Sequence, residues 1–448
     1  MKDRRLSISH YPVYKDSGFE WLGNVPEHWN LLRIKSLTKT KSGTTPKSGT
    51  DEYYENGIHF WVRTTDLNNN RLYSSEFKVT TLAIEQNSLS FIQPKSILLA
   101  MYGGMGTIGK NSLLEVEVTI NQSVCAIFPN HKQFNSEYLW YYTQFFRPHW
   151  EIFADSARKD PNINQEAIKR LWVVLPSLPE QKAIAHYLDT KTAQIDRKID
   201  LLTQKAEQYG NLKQSLINET VMRGLDRSVS MKDSGIEWIG NVPEHWEILR
   251  IKDYTYVKGR IGWQGLRSAD FLDRGEFYCI TGTDLLNGSI NWLNCYFVSQ
   301  ERYEQDKYIK LKEQDLLITK DGTIGKIALV QDLPLKTTLN SGVFVTRPKK
   351  DKYTNKFMYW LLNSSSFKDY IELTKGGSTI QHLYQNVFDR FLYGCPPLSE
   401  QQAIADYLDT KTAQIDRVIQ TINTQIGKLK ELRKTLINDV VTGKIKVV

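Results

Sequence analysis

The chain has 448 residues, 40% hydrophobic and 24% charged, with 58 Lys and Arg against 50 Asp and Glu for a net charge of +8. That apolar content excludes a wholly disordered chain, and no apolar run approaches the roughly 18 residues of a membrane span. The polar start, Met1 to His10, reads as lacking a secretion signal. Cys125, Cys279, Cys295 and Cys395 form no CxxC pair. Their scatter excludes a zinc ribbon or a disulfide framework and fits a reducing, cytoplasmic setting. A basic balance suggests a polyanionic partner, but the charge is thin and even: +3 over residues 1–178, +1 over 179–230, +2 over 231–398 and +2 over 399–448.

The first motif is Lys15-Asp16-Ser17-Gly18-Phe19-Glu20-Trp21-Leu22-Gly23-Asn24-Val25-Pro26-Glu27-His28-Trp29, in which His28 reads as buried or capping rather than as a ligand. Loops carrying Lys39, Lys41, Lys47 and Arg63 follow, then Thr65-Asp66-Leu67. Residues 96–100 read as a short buried strand running into a glycine turn. Residues 106–110, ending in Lys110, offer backbone N–H groups and a lysine to a phosphate, or form a plain turn with a solvated lysine. Residues 123–128 read as a strand ended by Pro129, 135–146 as an aromatic helix, and 171–175 as a strand leading into a long helix. Arg158 and Lys159, near the end of this region, are candidate base readers.

The chain then repeats itself. Lys232-Asp233-Ser234-Gly235-Ile236-Glu237-Trp238-Ile239-Gly240-Asn241-Val242-Pro243-Glu244-His245-Trp246 renews the leading motif. Residues 403–417 repeat 183–197 with one change, His186 to Asp406. Thr283-Asp284-Leu285, the loop 322–326 ending in Lys326, and a strand 315–319 answer to their first-half counterparts. Strands at 343–345 and 391–393 and a helix at 355–363 complete the second α+β domain. Its candidate DNA contacts are Lys258, Arg260, Trp263, Arg267 and Lys326, with Lys375, Thr379 and Gln381 where the first half has Arg158 and Lys159. Arg and Lys suit phosphates and guanine edges, Asn and Gln adenine edges. Near-identical ends around divergent middles imply a shared docking task and two different targets.

Residues 179–222 and 399–441 have apolar residues every seven. Leu188, Ile195, Leu202, Tyr209 and Leu216 mark one seam, and Leu408, Ile415, Ile422, Leu429 and Leu436 the other. Ile199, Ala206, Ile419 and Ile426 form the companion seams, so the pattern predicts a coiled coil. Ser177 with Glu180 and Ser399 with Gln402 are candidate capping boxes, Pro179 suits a first turn, and Gly224 and Gly443 suit the stops. Some 40 residues span about 60 Å. Antiparallel pairing of the two helices would place the two domains at opposite ends of a rod.

Familiar catalytic signatures are missing: no G-x-x-x-x-G-K-[ST], dinucleotide GxGxxG, HExxH or G-x-S-x-G string occurs. Asp66 with Glu76-Phe77-Lys78 suggests a Mg²⁺-dependent DNA endonuclease. The second copy keeps Asp284 but has Asn294 and Tyr296 at the other positions, so the aspartate reads as structural. A protein–protein adaptor without a DNA role is the other alternative.

With its two motifs repeated around two divergent middles, the chain resembles the specificity subunit of Type I restriction–modification systems. The resemblance covers almost the whole chain beyond the first ten residues; Ser399 departs from it, standing where the first copy has Pro179. It implies target recognition domains at 1–178 and 225–398, separated by long helices at 179–224 and 399–448 that pair as an antiparallel coiled coil in a pseudo-twofold repeat. It implies a non-catalytic protein without a cofactor or metal that reads a bipartite DNA site and docks two modification (adenine methyltransferase) subunits and ATP-dependent restriction subunits. The helices would set the spacer between half-sites, and Leu188, Ile195, Leu202, Leu216, Leu408, Ile415, Ile422 and Leu436 would serve pairing and subunit docking.

Overall fold

The structure is a computed structural model that describes residues 9–103, 106–153, 162–334, 336–374 and 382–447, apart from the side chains of Glu151, Phe153 and Trp263. It separates into two compact units, Met1–Leu202 with Thr424–Val448, and Thr203–Asn423.

In the first unit a five-stranded sheet runs in the order Thr40–Ser42, Val124–Ile127, Ile97–Ala100, Asn111–Leu114, Asn70–Leu72. Every pair is antiparallel except the last. All positions of Ile97–Ala100 and Val124–Ile127 are buried, which explains why these strands read as continuous apolar runs rather than as alternating ones. A second sheet joins His59–Val62 to Thr119–Ile120 in parallel and to Lys78–Val79 antiparallel. The helix Ser136–Phe146 packs its aromatic face into the core, with Tyr138, Tyr142 and Phe146 fully buried. Asn135 caps it, its side chain accepting from the Tyr138 N–H at 2.8 Å.

The second unit repeats this plan. Thr255–Gly259, Val343–Pro348, Leu316–Thr319 and Ile327–Leu329 form an antiparallel sheet in that order. Phe277–Ile280 pairs with Thr337–Leu339 in parallel and with Tyr296–Val298 antiparallel. The fifth strand of the first sheet has a different successor, the hairpin Leu285–Leu286 with Ser289–Ile290. Thr354 caps the helix Asn355–Leu362.

Two helices, Leu178–Arg223 and Leu398–Val441, follow the two domains. In the first unit Asp196 pairs with Arg433 at 2.9 Å, while Ile184 and Leu188 share one apolar core with Ile437, Val440 and Val441. In the second unit Lys213 pairs with Asp416 at 2.7 Å, and Ile217 and Val221 share a core with Ile404, Ala405 and Leu408. In each unit the residue numbers on one helix rise as those on the other fall, so the pairing is antiparallel. Leu188, Leu408 and Ile422 are buried, and Ile195, Leu202, Leu216, Ile415 and Leu436 are half-buried. Gly224 (φ +75°) and Gly443 (φ +77°) end the helices in the left-handed region that glycine tolerates.

The capping boxes expected at the helix starts do not form. The Glu180 carboxylate accepts from the Tyr11 hydroxyl at 2.6 Å and the Trp29 indole N–H at 3.2 Å. Gln402 donates to Asp406 instead. At the first start Tyr11 and the leading motif supply less hydrated donors to Glu180 than the serine backbone N–H offers; at the second, Gln402 bonds along its own helix. Glu400 likewise accepts from the Trp246 indole at 3.2 Å. The neighbouring glutamines bridge further: Gln181 accepts from the Asn135 N–H, and Gln401 from the Thr354 N–H, both at 2.8 Å. His28 and His245 are neither buried nor capping; they are 57% and 45% exposed and face these same glutamates. The shared ends of the repeat therefore dock on each other.

Candidate nucleic-acid interface

The edge strand of each main sheet is held from outside by a glutamine. Gln165 donates to the Thr40 carbonyl at 2.8 Å, and Gln385 donates to the Val257 carbonyl at 3.2 Å. Lys41 and Lys258 stand one residue further, at matching register positions opposite Ala126 and Val345. Lys41 is exposed and reaches the Ser90 hydroxyl; Lys258 is half-buried, 5.8 Å from the Tyr308 ring. The loop after each edge strand crosses to the smaller sheet. In the first unit Tyr54 and Trp61 donate to the Pro46 and Thr44 carbonyls, which leaves Lys47 exposed on the loop between them and the solvent. In the second unit Arg267 is exposed, with its backbone N–H bonded to Asp270.

Arg260 does not share that exposure. It is 2% exposed, and its guanidinium donates to the Leu339 carbonyl at 2.8 Å and towards Gln305 and Thr338 at 3.3 Å. Burial lowers its pKa from the usual arginine value. Its donors are spent on the protein, so its role is structural. In the first unit Gly43 stands at this place in the register, and a Cβ there would fall 1.9 Å from the Ile120 carbonyl oxygen. Close backbone approach thus does in one domain what a buried guanidinium does in the other.

Arg63 is half-buried, its guanidinium lying over the Phe77 ring. The loops ending in Lys110 and Lys326 are turns closed by the last two backbone donors of each. Gly109 N–H bonds to Ala100, Lys110 N–H to Thr107, and Lys326 N–H to the Thr319 hydroxyl. Arg147 donates to the Gly106 carbonyl. The Lys326 ammonium lies 3.4 Å from the Gly282 carbonyl, which brings it beside the turn holding Asp284. Arg158, Lys159, Lys375, Thr379 and Gln381, and the Trp263 side chain, lie outside the described residues.

Asp66 and Asp284 share one structural task. Asp66 accepts from the Arg63 N–H at 2.8 Å and the Ser75 hydroxyl at 3.2 Å, while Asp284 accepts from the Thr281 N–H at 2.7 Å and its hydroxyl at 2.8 Å. Burial raises the Asp284 carboxyl above its ordinary value. An aspartate committed to its own turn is a poor metal ligand, so the nuclease alternative loses its first carboxylate. The four cysteines are free and buried, and burial pushes each thiol up to about 12, a setting for inert structural cysteines.

Sequence reasoning missed Gln165, Gln385, Gln181 and Gln401. Their signal was present: each pair lies 220 residues apart as an identical residue inside or beside the repeat.

Two α+β domains of one topology, each fastened to a long helix by the same residues while their outward loops differ, define a duplicated recognition scaffold. The profile of the family described as "Type I restriction modification DNA specificity domain" matches residues 26–208 and 243–428. The chain belongs to that family and is a DNA-specificity subunit, not a catalytic one. It is 25% identical to the "Putative type I restriction enzyme MjaX specificity subunit" of Methanocaldococcus jannaschii over 448 residues, covering 97% of this chain and 98% of that one. It is also 25% identical to the EcoKI specificity subunit of Escherichia coli K12 over 210 residues, or 46% and 44% of the two chains. Among solved structures, a chain from work on complex assembly and conformational transition of the type I R-M system matches with TM-score 0.72 at 15% identity, covering 93% of this chain and 98% of that one. The HsdS subunit of Thermoanaerobacter tengcongensis matches with TM-score 0.52 at 14% identity, covering 96% and 100%. These likenesses establish the fold. Among the described residues no helix is long and apolar enough to cross a membrane.

Proposed function

We propose that this chain gives a cytoplasmic Type I restriction–modification complex its sequence specificity by reading a split DNA site. The recognition domain within residues 1–178 reads one half, and that within 225–398 reads the other. The observation that carries this reading is the contrast within the repeat: the core sheets, the edge-strand lysines Lys41 and Lys258 and the helix docking are kept, while the loops that follow those strands, bearing Lys47 and Arg267, diverge. Lysines and arginines on these loops hold phosphates and set register, and polar neighbours read base edges. The antiparallel helices fix the spacer between half-sites, and their repeated surfaces dock two modification subunits and the restriction subunits. Methyl transfer, ATP use and cleavage belong to those partners.

Mapping methylated adenines in cells carrying this chain with its modification partner tests the reading. The expected result is a bipartite motif of two fixed halves around a spacer of constant length. Replacing the middle of the second domain with that of a relative changes one half alone. Removing one heptad from each helix, residues 195–201 and 415–421, changes the spacer and leaves both halves readable. Methylation without a bipartite motif, or an unchanged spacer in an active complex, overturns the proposal.

A further inference from the structure

In the first unit a cleft of about 340 Å³ opens between the end of the aromatic helix and the last turns of the second long helix. Its walls include Gln144, Arg147, Trp150, Lys430, Arg433 and Lys434. Lys430 and Lys434 stand one helical turn apart, with Arg433 beside them. Among the described residues neither lysine has an ion-pair partner, whereas Arg433 is tied to Asp196 at 2.9 Å. Arg147 is anchored by a hydrogen bond to the Gly106 carbonyl at 2.9 Å, and burial lowers its guanidinium pKa from the usual value. The Gln144 side-chain N–H₂ is buried with no acceptor, although its carbonyl oxygen lies 3.5 Å from Arg433. A buried donor left unpaired is costly, and grouped cations without an anion repel one another.

The repeat provides an internal control. The matching cleft of the second unit is lined by Gly210, Lys213 and Gln214, where the first unit presents Lys430, Arg433 and Lys434. The two helix ends are otherwise closely similar, Leu212 to Thr220 answering to Leu432 to Val440 with Leu-Ile-Asn held in common. The aspartates do not differ, since Asp196 meets Arg433 as Asp416 meets Lys213; the difference lies in Lys430 and Lys434, which replace Gly210 and Gln214. The extra cations are thus confined to one copy of a shared scaffold position, which a general need for solubility or helix pairing does not explain.

We propose that the first-unit cleft is a phosphate-binding site, in which Lys430, Lys434 and Arg147 supply charge, Gln144 supplies a neutral donor and Trp150 closes the apolar side. The ligand chemistry is a phosphate group, carried either by a free nucleotide or by a DNA backbone passing the helix. The site stands on this cleft alone and does not depend on the reading of a split site.

The test is thermal unfolding of the full chain titrated with inorganic phosphate, against chloride at matched ionic strength. Phosphate raises Tm saturably in the parent chain, since a ligand that binds only the folded state stabilises it. In the K430Q/K434Q variant the half-saturating concentration rises by about tenfold or more. Its Tm in chloride stays close to that of the parent, because Gln is as good a helix former as Lys. If the double variant unfolds early, the single variants K430Q and K434Q are titrated, and each must weaken the response. A short DNA duplex that displaces phosphate assigns the site to the backbone. Displacement by a mononucleotide but not by the duplex assigns it to a free nucleotide. No saturable rise beyond chloride in the parent, or identical titrations of parent and variants, overturns the proposal.

Discussion

Asp189 and Asp409 occupy the same place in the two long helices, within segments that match at all but one position. Asp189 accepts from the Arg71 guanidinium at 2.9 Å and the Tyr141 hydroxyl at 2.8 Å. Asp409 accepts from the Trp360 indole at 2.9 Å and lies 3.4 Å from the Lys356 ammonium. The helix offers one carboxylate, and each divergent domain meets it with its own donor. Around Arg71 the first domain builds a network in which Glu115 and Glu137 also engage Lys95. The second domain fastens itself with an indole and an exposed lysine. A fixed docking carboxylate thus lets the domain change its surface without losing its seat.

The largest expected difference concerns the helix starts. Glu180 holds Tyr11 and Trp29, while Glu400 holds Trp246 alone of the buried donors, because Ser228 stands where the first copy has Tyr11. E180A leaves a hydroxyl and an indole N–H buried without an acceptor and costs about 3 kcal/mol; E400A costs about half that. Hydrogen exchange over residues 9–30 and 228–247 measures the two losses, and equal losses would break the comparison. A smaller contrast is expected at the aspartates. R71M takes the guanidinium from Glu115 and Asp189, leaving them Lys95 and the Tyr141 hydroxyl, and costs about 2 kcal/mol, whereas K356M, removing an exposed ion pair, stays within about 0.5 kcal/mol. Urea unfolding of the two variants separates these values.

The smallest expected effect is the pH dependence that Glu137 gives the first domain. Burial alone would raise the Glu137 carboxyl, but its own backbone N–H, Lys95 and Arg71 outweigh that and hold it below the ordinary range. A depressed folded-state value means that the contribution is present above the unfolded pKa and is lost as pH falls through the folded one. Acidification therefore loosens the first domain more in the parent than in E137Q, read as the slope of Tm against pH below neutrality. Equal slopes would remove Glu137 from the network.

Much of the architecture was legible because repetition is visible without coordinates. The buried strands at 97–100 and 316–319 and the heptad seams were all signalled by apolar pattern. The docking of the leading motif on Glu180 and Glu400 was not, because an indole and a carboxylate some 150 positions apart leave no local signature. The same distance misled the reading of Ser177 and Glu180 as a capping box: the local spacing was right, but a tertiary donor won the carboxylate. Arg260 was misread for a related reason. An arginine beside glycine and tryptophan looks like a loop cation, and only the register of its strand shows that it points to the Leu339 carbonyl. The cleft cations Lys430 and Lys434 were legible in principle, by reading each helix position against its counterpart.

The sequence by itself determined the duplicated α+β plan, the two long helices and the recognition class, since apolar periodicity and repetition are properties of the chain order. Tertiary structure alone decided which polar groups remain available to a ligand. Burial and hydrogen bonding consumed Arg260, Asp66 and Asp284, left Lys47 and Arg267 exposed, and gathered Arg147 and Gln144 with Lys430 and Lys434. Those outcomes depend on contacts between residues far apart in the chain, where each donor takes the acceptor that burial places beside it.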